Sequence, residues 1–118
     1  MKKKILILLP TLNEVHHILK LYKKILRQNI NLDVLFVDDG STDGTWEEII
    51  KIKKKAKTKV FTIRRKQREG LGKAHKDGLN WAYKNNYKYL ITMDTDFAHD
   101  PKYIPMLVKK IKKSDVVI

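Results

Sequence analysis

The chain has 118 residues, enough for one domain with a substantial core, and no cysteine, which excludes disulfides and thiolate metal sites. Its 26 Lys and Arg against 13 Asp and Glu leave a net charge of +13, which favours anionic partners: nucleic acid, anionic membrane surfaces or phosphorylated substrates. Twenty-two of the 26 cations are lysine, a pattern of solvated helix faces more than of arginine-based base or phosphate readout.

Taken in chain order, short apolar runs alternate with longer amphipathic ones. ILILL (5–9) reads as a strand that is apolar on both faces, as in a buried parallel sheet. Val15, Ile18, Leu19, Tyr22, Ile25 and Leu26 then recur at helical spacing, with Lys20, Lys23, Lys24 and Arg27 between them. The pattern Thr11-Leu-Asn-Glu14 reads as a capping box at the start of that helix. DVLFV (33–37) is the second predicted strand, followed by DDGSTDGT and a second capping box, Thr45-Trp-Glu-Glu48, whose helix carries Trp46, Ile49 and Ile50.

KVFTI (59–63) is the third strand, and a basic, glycine-containing stretch, RRKQREGLGKAHKDG (64–78), follows it. A third helix is expected over Ala74 to Tyr83, then a fourth strand, YLITM (89–93), then DTD. Pro101 suits the first turn of a fourth helix bearing Ile104, Leu107, Val108 and Ile111, and DVVI (115–118) reads as a fifth strand. No apolar run approaches the ~18 residues that span a bilayer. The expected fold class is therefore α/β: one domain over 1–118, an open, mostly parallel sheet with right-handed crossovers and helices on both faces. The chain is expected to be truncated after the fifth strand.

In open parallel sheets, ligands bind beyond the carboxyl ends of the strands. Glu14 follows the first strand, Asp38 and Asp39 the second, and Asp94 and Asp96 the fourth. The third strand delivers the basic stretch instead. Carboxylates beside a cationic loop suit a metal-bound phosphate ester. Alternate residues of an extended segment point to one side, so Asp94 and Asp96 can address one ligand, and hard cations such as Mg²⁺ or Mn²⁺ prefer such oxygen donors. Each piece has a plainer explanation. Glu14 closes a capping box, and DDGSTDGT has the composition of a tight turn. GLGKAHKDG matches neither the dinucleotide fingerprint nor the P-loop. His99 reads as a cap or a solvent-facing residue beside Pro101, and His16, His17 and His75 lack ligand spacing.

The segments PTLNE (10–14), VDDGSTDGT (37–45), GLGKAHKDGLNWA (70–82) and MDTDFAHDP (93–101), in this order and spacing, resemble family 2 glycosyltransferases with a GT-A fold. Among these the chain is most similar to the polyprenol-phosphate mannosyltransferases, dolichol-phosphate mannose synthases included. The resemblance covers nearly the whole chain. It implies a nucleotide pocket lined by Pro10, Leu12, Glu14, Val37 and Asp39, with Asp94, Thr95 and Asp96 at the sugar diphosphate. It further implies that Asp94 and Asp96 are the catalytic and metal-binding pair for Mg or Mn, Asp96 being the more direct ligand. Two positions depart from the family: Leu12 stands where an aromatic is common, and Ala98 where some relatives have a further metal ligand.

The implied reaction is inverting transfer of a hexose, with mannose from GDP-mannose favoured, to a polyprenyl phosphate at the cytosolic membrane face. The implied setting is cytoplasmic, with peripheral membrane contact and a further C-terminal segment or partner subunit. A phosphate acceptor is already anionic, so no strong base is needed; positioning and leaving-group charge stabilisation carry the acceleration. The alternatives are a nucleotide-sugar-binding fragment without turnover, a phosphatase of the haloacid-dehalogenase type with Asp94 as nucleophile, and a basic nucleic-acid-binding or interaction module. No nucleic-acid partner is expected on the favoured reading.

Overall fold

The computed structural model describes residues 5–56, 59–93, 102 and 105. Among these residues four strands, β1 (Ile5–Thr11), β2 (Asp33–Asp38), β3 (Val60–Arg64) and β4 (Tyr89–Thr92), alternate with three helices, α1 (Ile18–Arg27), α2 (Thr45–Lys55) and α3 (Leu71–Lys84). All strand pairs are parallel and the order is β3-β2-β1-β4. The open parallel sheet expected from the sequence is thus present. Of the predicted fourth helix only Lys102 and Pro105 are described, both in helical conformation; the rest of it and the predicted fifth strand lie outside the described residues.

β1 is buried along its whole length because both of its faces are covered. Ile5, Ile7 and Leu9 point with Val34 and Phe36 into a core closed by Ile18, Leu21 and Ile25 of α1 and by Ile49 and Ile52 of α2. Leu6 and Leu8 point the other way, with Leu35 and Val37, towards Ala74 and Ala82 of α3. Period-two alternation on a doubly covered strand produces the continuous apolar run seen in the sequence.

The face under α3 is thinner. Its buried helix positions, Ala74, Gly78 and Ala82, recur every fourth residue, so the helix settles close to the sheet. A Cβ at Gly78 would sit 2.4 Å from Leu8 Cδ1, so that close approach depends on the absent side chain. Trp81 widens the contact at the helix end, lying 4.9 Å from the Phe61 ring and stacking on Tyr87 at 5.8 Å.

Helix boundaries differ from those read in the sequence. Thr11 does not open α1; it is the last residue of β1, and α1 begins at Ile18. The Thr11 hydroxyl finds a partner 27 residues away, donating to Asp38 Oδ1 at 2.8 Å, so no capping box forms there. Thr45 is the first residue of α2 and Gly44, at φ +100°, precedes it as the cap. α3 starts at Leu71, before the expected Ala74.

Candidate functional site

The chain leaves β1 towards β2 on one side and returns from β3 to β4 on the other, so the strand order reverses between β1 and β4. At such a switch point the carboxyl ends of the strands open a crevice for ligands. Pro10 lies in that edge, paired with Val37 across the ladder, and Thr11 pairs with Asp38. The ladders extend one step further, through Asp39 N–H to Thr11 O and Arg65 N–H to Asp38 O, both at 2.9 Å.

Beyond them the loops are joined to one another. Asn13 takes the left-handed conformation at φ +53°, which asparagine tolerates better than most residues. Its N–H donates to Ser41 Oγ at 2.9 Å, and its side-chain oxygen accepts from Thr42 N–H at 2.9 Å. Glu14 N–H donates to Thr45 Oγ1 at 2.8 Å and Val15 N–H to Asp43 Oδ2 at 3.3 Å. Burial acts against the Asp43 charge, but hydrogen bonds from the Thr45 hydroxyl and amide and from the Val15 amide outweigh it and hold this carboxyl below its ordinary value.

Asp38 is fully buried. It accepts from Thr11 Oγ1, from Ser41 N–H at 3.0 Å and from Ser41 Oγ at 2.6 Å, so neutral donors satisfy it where no water reaches. Asp39, also buried, reaches the third loop: Oδ1 accepts from Glu69 N–H and Oδ2 from Gly70 N–H, both at 2.9 Å. Arg65 Nη1 lies 3.4 Å from Asp39 Oδ1 and 3.6 Å from Glu69, while Nη2 donates to Asp77 on α3. Gly40, at φ +87°, lies against the same loop, where a Cβ would meet Arg68 N at 3.1 Å.

Five of the sequence-predicted pocket residues, Pro10, Leu12, Glu14, Val37 and Asp39, therefore gather at one edge of the sheet. Leu12 and Glu14 are half-buried there. Val37 is completely buried in the core beneath α3. Asp94, Thr95 and Asp96 lie outside the described residues, as do Ala98 and His99. The continuous described stretch 59–93 ends on Met93, whose N–H donates to Leu8 O at 3.1 Å beside the crevice. Among the described residues no group of three or more His, Asp and Glu could hold a metal ion. The carboxylates of Asp38, Asp39 and Asp43 are already engaged by the loops they join.

Sequence reading missed Arg65. It is one of four arginines in a lysine-rich chain, yet it is 7% exposed and links β3 to α3 through Asp39 and Asp77. The tandem Arg64-Arg65 was the available signal. Arg64 turns outward over the Trp46 ring at 5.2 Å, and Arg65 turns in.

Comparison with known proteins agrees with this architecture. The chain is 35% identical over 118 residues to a dolichol-phosphate mannosyltransferase of Pyrococcus furiosus, covering 98% of this chain and 32% of that protein. It is 31% identical over 117 residues to an undecaprenyl-phosphate mannosyltransferase of Micrococcus luteus, covering 98% and 47%. An uncharacterised protein of Methanocaldococcus jannaschii is 38% identical over 109 residues, covering 92% and 47%. The chain thus spans about half the length, or less, of these relatives.

Among solved structures, S. aureus TarS superposes with a TM-score of 0.77 over 93% of this chain and 32% of its own, at 22% identity, a likeness of fold. The mannosyltransferase PcManGT of Pyrobaculum calidifontis, in complex with GDP-Man and Mn²⁺, superposes with a TM-score of 0.66 at 25% identity, over 78% of this chain and 27% of its own. The expected GT-A architecture is borne out by these neighbours. The profile of glycosyl transferase family 2 matches residues 6–118, and the chain belongs to that family.

Proposed function

We propose that this chain forms the donor-binding part of an inverting mannosyltransferase that moves mannose from GDP-mannose to a polyprenyl phosphate at the cytosolic membrane face. The observation that carries this reading is the pair of relatives, 35% and 31% identical over almost the whole chain, that are named for mannosyl transfer to dolichyl and undecaprenyl phosphate. The gathering of Pro10, Leu12, Glu14 and Asp39 at the switch-point edge supports it.

In this reading Pro10, Leu12 and Glu14 line the nucleotide. Asp39 shapes the pocket by fixing the 65–70 loop, and Val37 by filling the core below it. Asp94 and Asp96, with Thr95 between them, would hold a divalent cation, Mg²⁺ or Mn²⁺, on the donor diphosphate. When bound, such an ion neutralises charge on the departing nucleotide. The residues of this chain orient the donor so that an acceptor phosphate oxygen meets the anomeric carbon from the opposite side.

Calorimetry with a panel of nucleoside diphosphates and their sugars, with and without Mn²⁺, tests the reading. The expected result is preference for the guanine nucleotide, strengthened by metal and abolished by Asp96→Ala. Absence of nucleotide binding, or binding indifferent to both Asp94→Ala and Asp96→Ala, would sink it. A second reading is donor binding without turnover. A radiolabelled transfer assay on a short polyprenyl phosphate separates the two.

A further inference from the structure

α1 and α2 lie side by side on one sheet face, and an open apolar groove of about 500 Å³ runs between them. Its floor is Tyr22 and Ile52, both buried. Its lip on α1 is Leu19 and Leu26, 38% and 42% exposed, two turns apart on one stripe of the helix. Exposed lysines surround the apolar strip: Lys23 sits between the two leucines, and Lys51 and Lys55 face it from α2. Glu48 is the one carboxylate among the described lining residues. Along their lengths the two helices carry eight cations against two carboxylates.

The chemistry of this flank is unselective. Beyond Glu48, the charged groups that line the groove are all lysines, flexible point charges that lack the planar fork with which arginine orients one carboxylate or phosphate. A folded partner recognised here would need directional groups to fix its register. A diffuse anionic surface needs only apolar area at one depth and cations at the next.

We propose that the α1–α2 flank docks on an anionic lipid bilayer, with Leu19 and Leu26 at the boundary of headgroups and acyl chains and Lys23, Lys51 and Lys55 on the lipid phosphates. Docked this way, the Leu19 end of α1, which follows the β1 loop, brings the ligand-binding edge of the sheet beside the headgroup plane. The inference adds a surface to the functional reading above and rests on that reading only for its purpose, delivery of a lipid-linked acceptor.

Cosedimentation of the 118-residue chain with vesicles, in the absence of nucleotide, tests it. Binding is expected to vesicles of phosphatidylcholine mixed with phosphatidylglycerol, and not to phosphatidylcholine alone. Lys23→Glu, Lys51→Glu and Lys55→Glu together should weaken it by on the order of 100-fold or more. Leu19→Ser with Leu26→Ser should also weaken it, with the residual binding lost as salt rises. A control removes the same number of exposed cations elsewhere, through Lys59→Glu, Lys76→Glu and Lys84→Glu, with circular dichroism confirming that every variant is folded.

The proposal is overturned if the control triple loses as much binding as the first, or if neutral vesicles bind equally well. Failure of the wild-type chain to sediment with anionic vesicles also overturns it, including where an acidic amphipathic peptide occupies the groove instead. Vesicle binding and nucleotide binding are separate readouts. Loss of this inference leaves the donor-site reading standing, and loss of donor binding leaves this inference standing.

Discussion

At the carboxyl edge of the sheet Asp38 is fully buried and accepts three hydrogen bonds, whereas Lys23, Lys51 and Lys55 on the α1–α2 flank stand in solvent. The two regions are comparably rich in charge and use it in opposite ways. In the first, each carboxylate of the 38–43 turn is held by donors from another loop, so charge fixes a shape. In the second, charge stays hydrated and available. The difference shows why net charge predicts so little here: among the described residues most lysines are exposed, while a few buried charged groups, Asp38, Asp39 and Arg65, build the fold.

The largest effect that could break this contrast is expected at Asp38. Asp38→Ala leaves the Thr11 hydroxyl and both Ser41 donors unpaired in a dry place, and should cost about 3–5 kcal/mol of stability by urea denaturation. A loss below about 1 kcal/mol would mean that the loops hold one another without it. Gly40→Ala is next. It forces a side chain into φ +87° and against Arg68 N, and a loss of about 1–2 kcal/mol is expected.

Acid sharpens the comparison. The Asp43 carboxyl is held below its ordinary value in the folded chain, so its contribution is present above the unfolded value of about 4 and is lost as pH falls through the lower folded value. Stability followed from about pH 5 downward should fall less steeply in Asp43→Asn than in the parent. Smallest of all, Lys23→Gln, Lys51→Gln and Lys55→Gln together should move stability by no more than about 0.5 kcal/mol, because solvated lysines contribute little to the fold. A larger loss would place these lysines among the structural charges.

Much of the fold was legible because its strands are covered on both faces. Runs such as ILILL and DVLFV have no polar face to hide, and their alternation with amphipathic stretches dictates the layers. The helix starts were less legible. Local spacing makes Thr11 and Glu14 a capping box, but the Thr11 hydroxyl bonds to Asp38, and a contact across 27 residues leaves no local mark. α3 begins early for a related reason: Asp39 takes the Glu69 and Gly70 amides just before it and pins its first turn. The edge on which the site sits followed from topology alone. What the sequence could not disclose was the division of labour among its carboxylates, since Asp38 and Asp39 are neighbours in sequence and identical in type.

The central position of β1 has a consequence for how this domain comes into being. β1 pairs early with β2, but its other neighbour, β4, arrives only after β3 and α3 have been made. Until then one edge of the most buried strand stays open, and Leu8 O lacks the Met93 N–H that closes its ladder. During synthesis, when domains form from the amino terminus onward, the first three strands can assemble as a nascent half-sheet with no crevice. Among the described strands β4 is therefore the last to join the sheet, and its docking beside β1 creates the switch point, so a chain stalled before residue 89 would have a core but no cleft there.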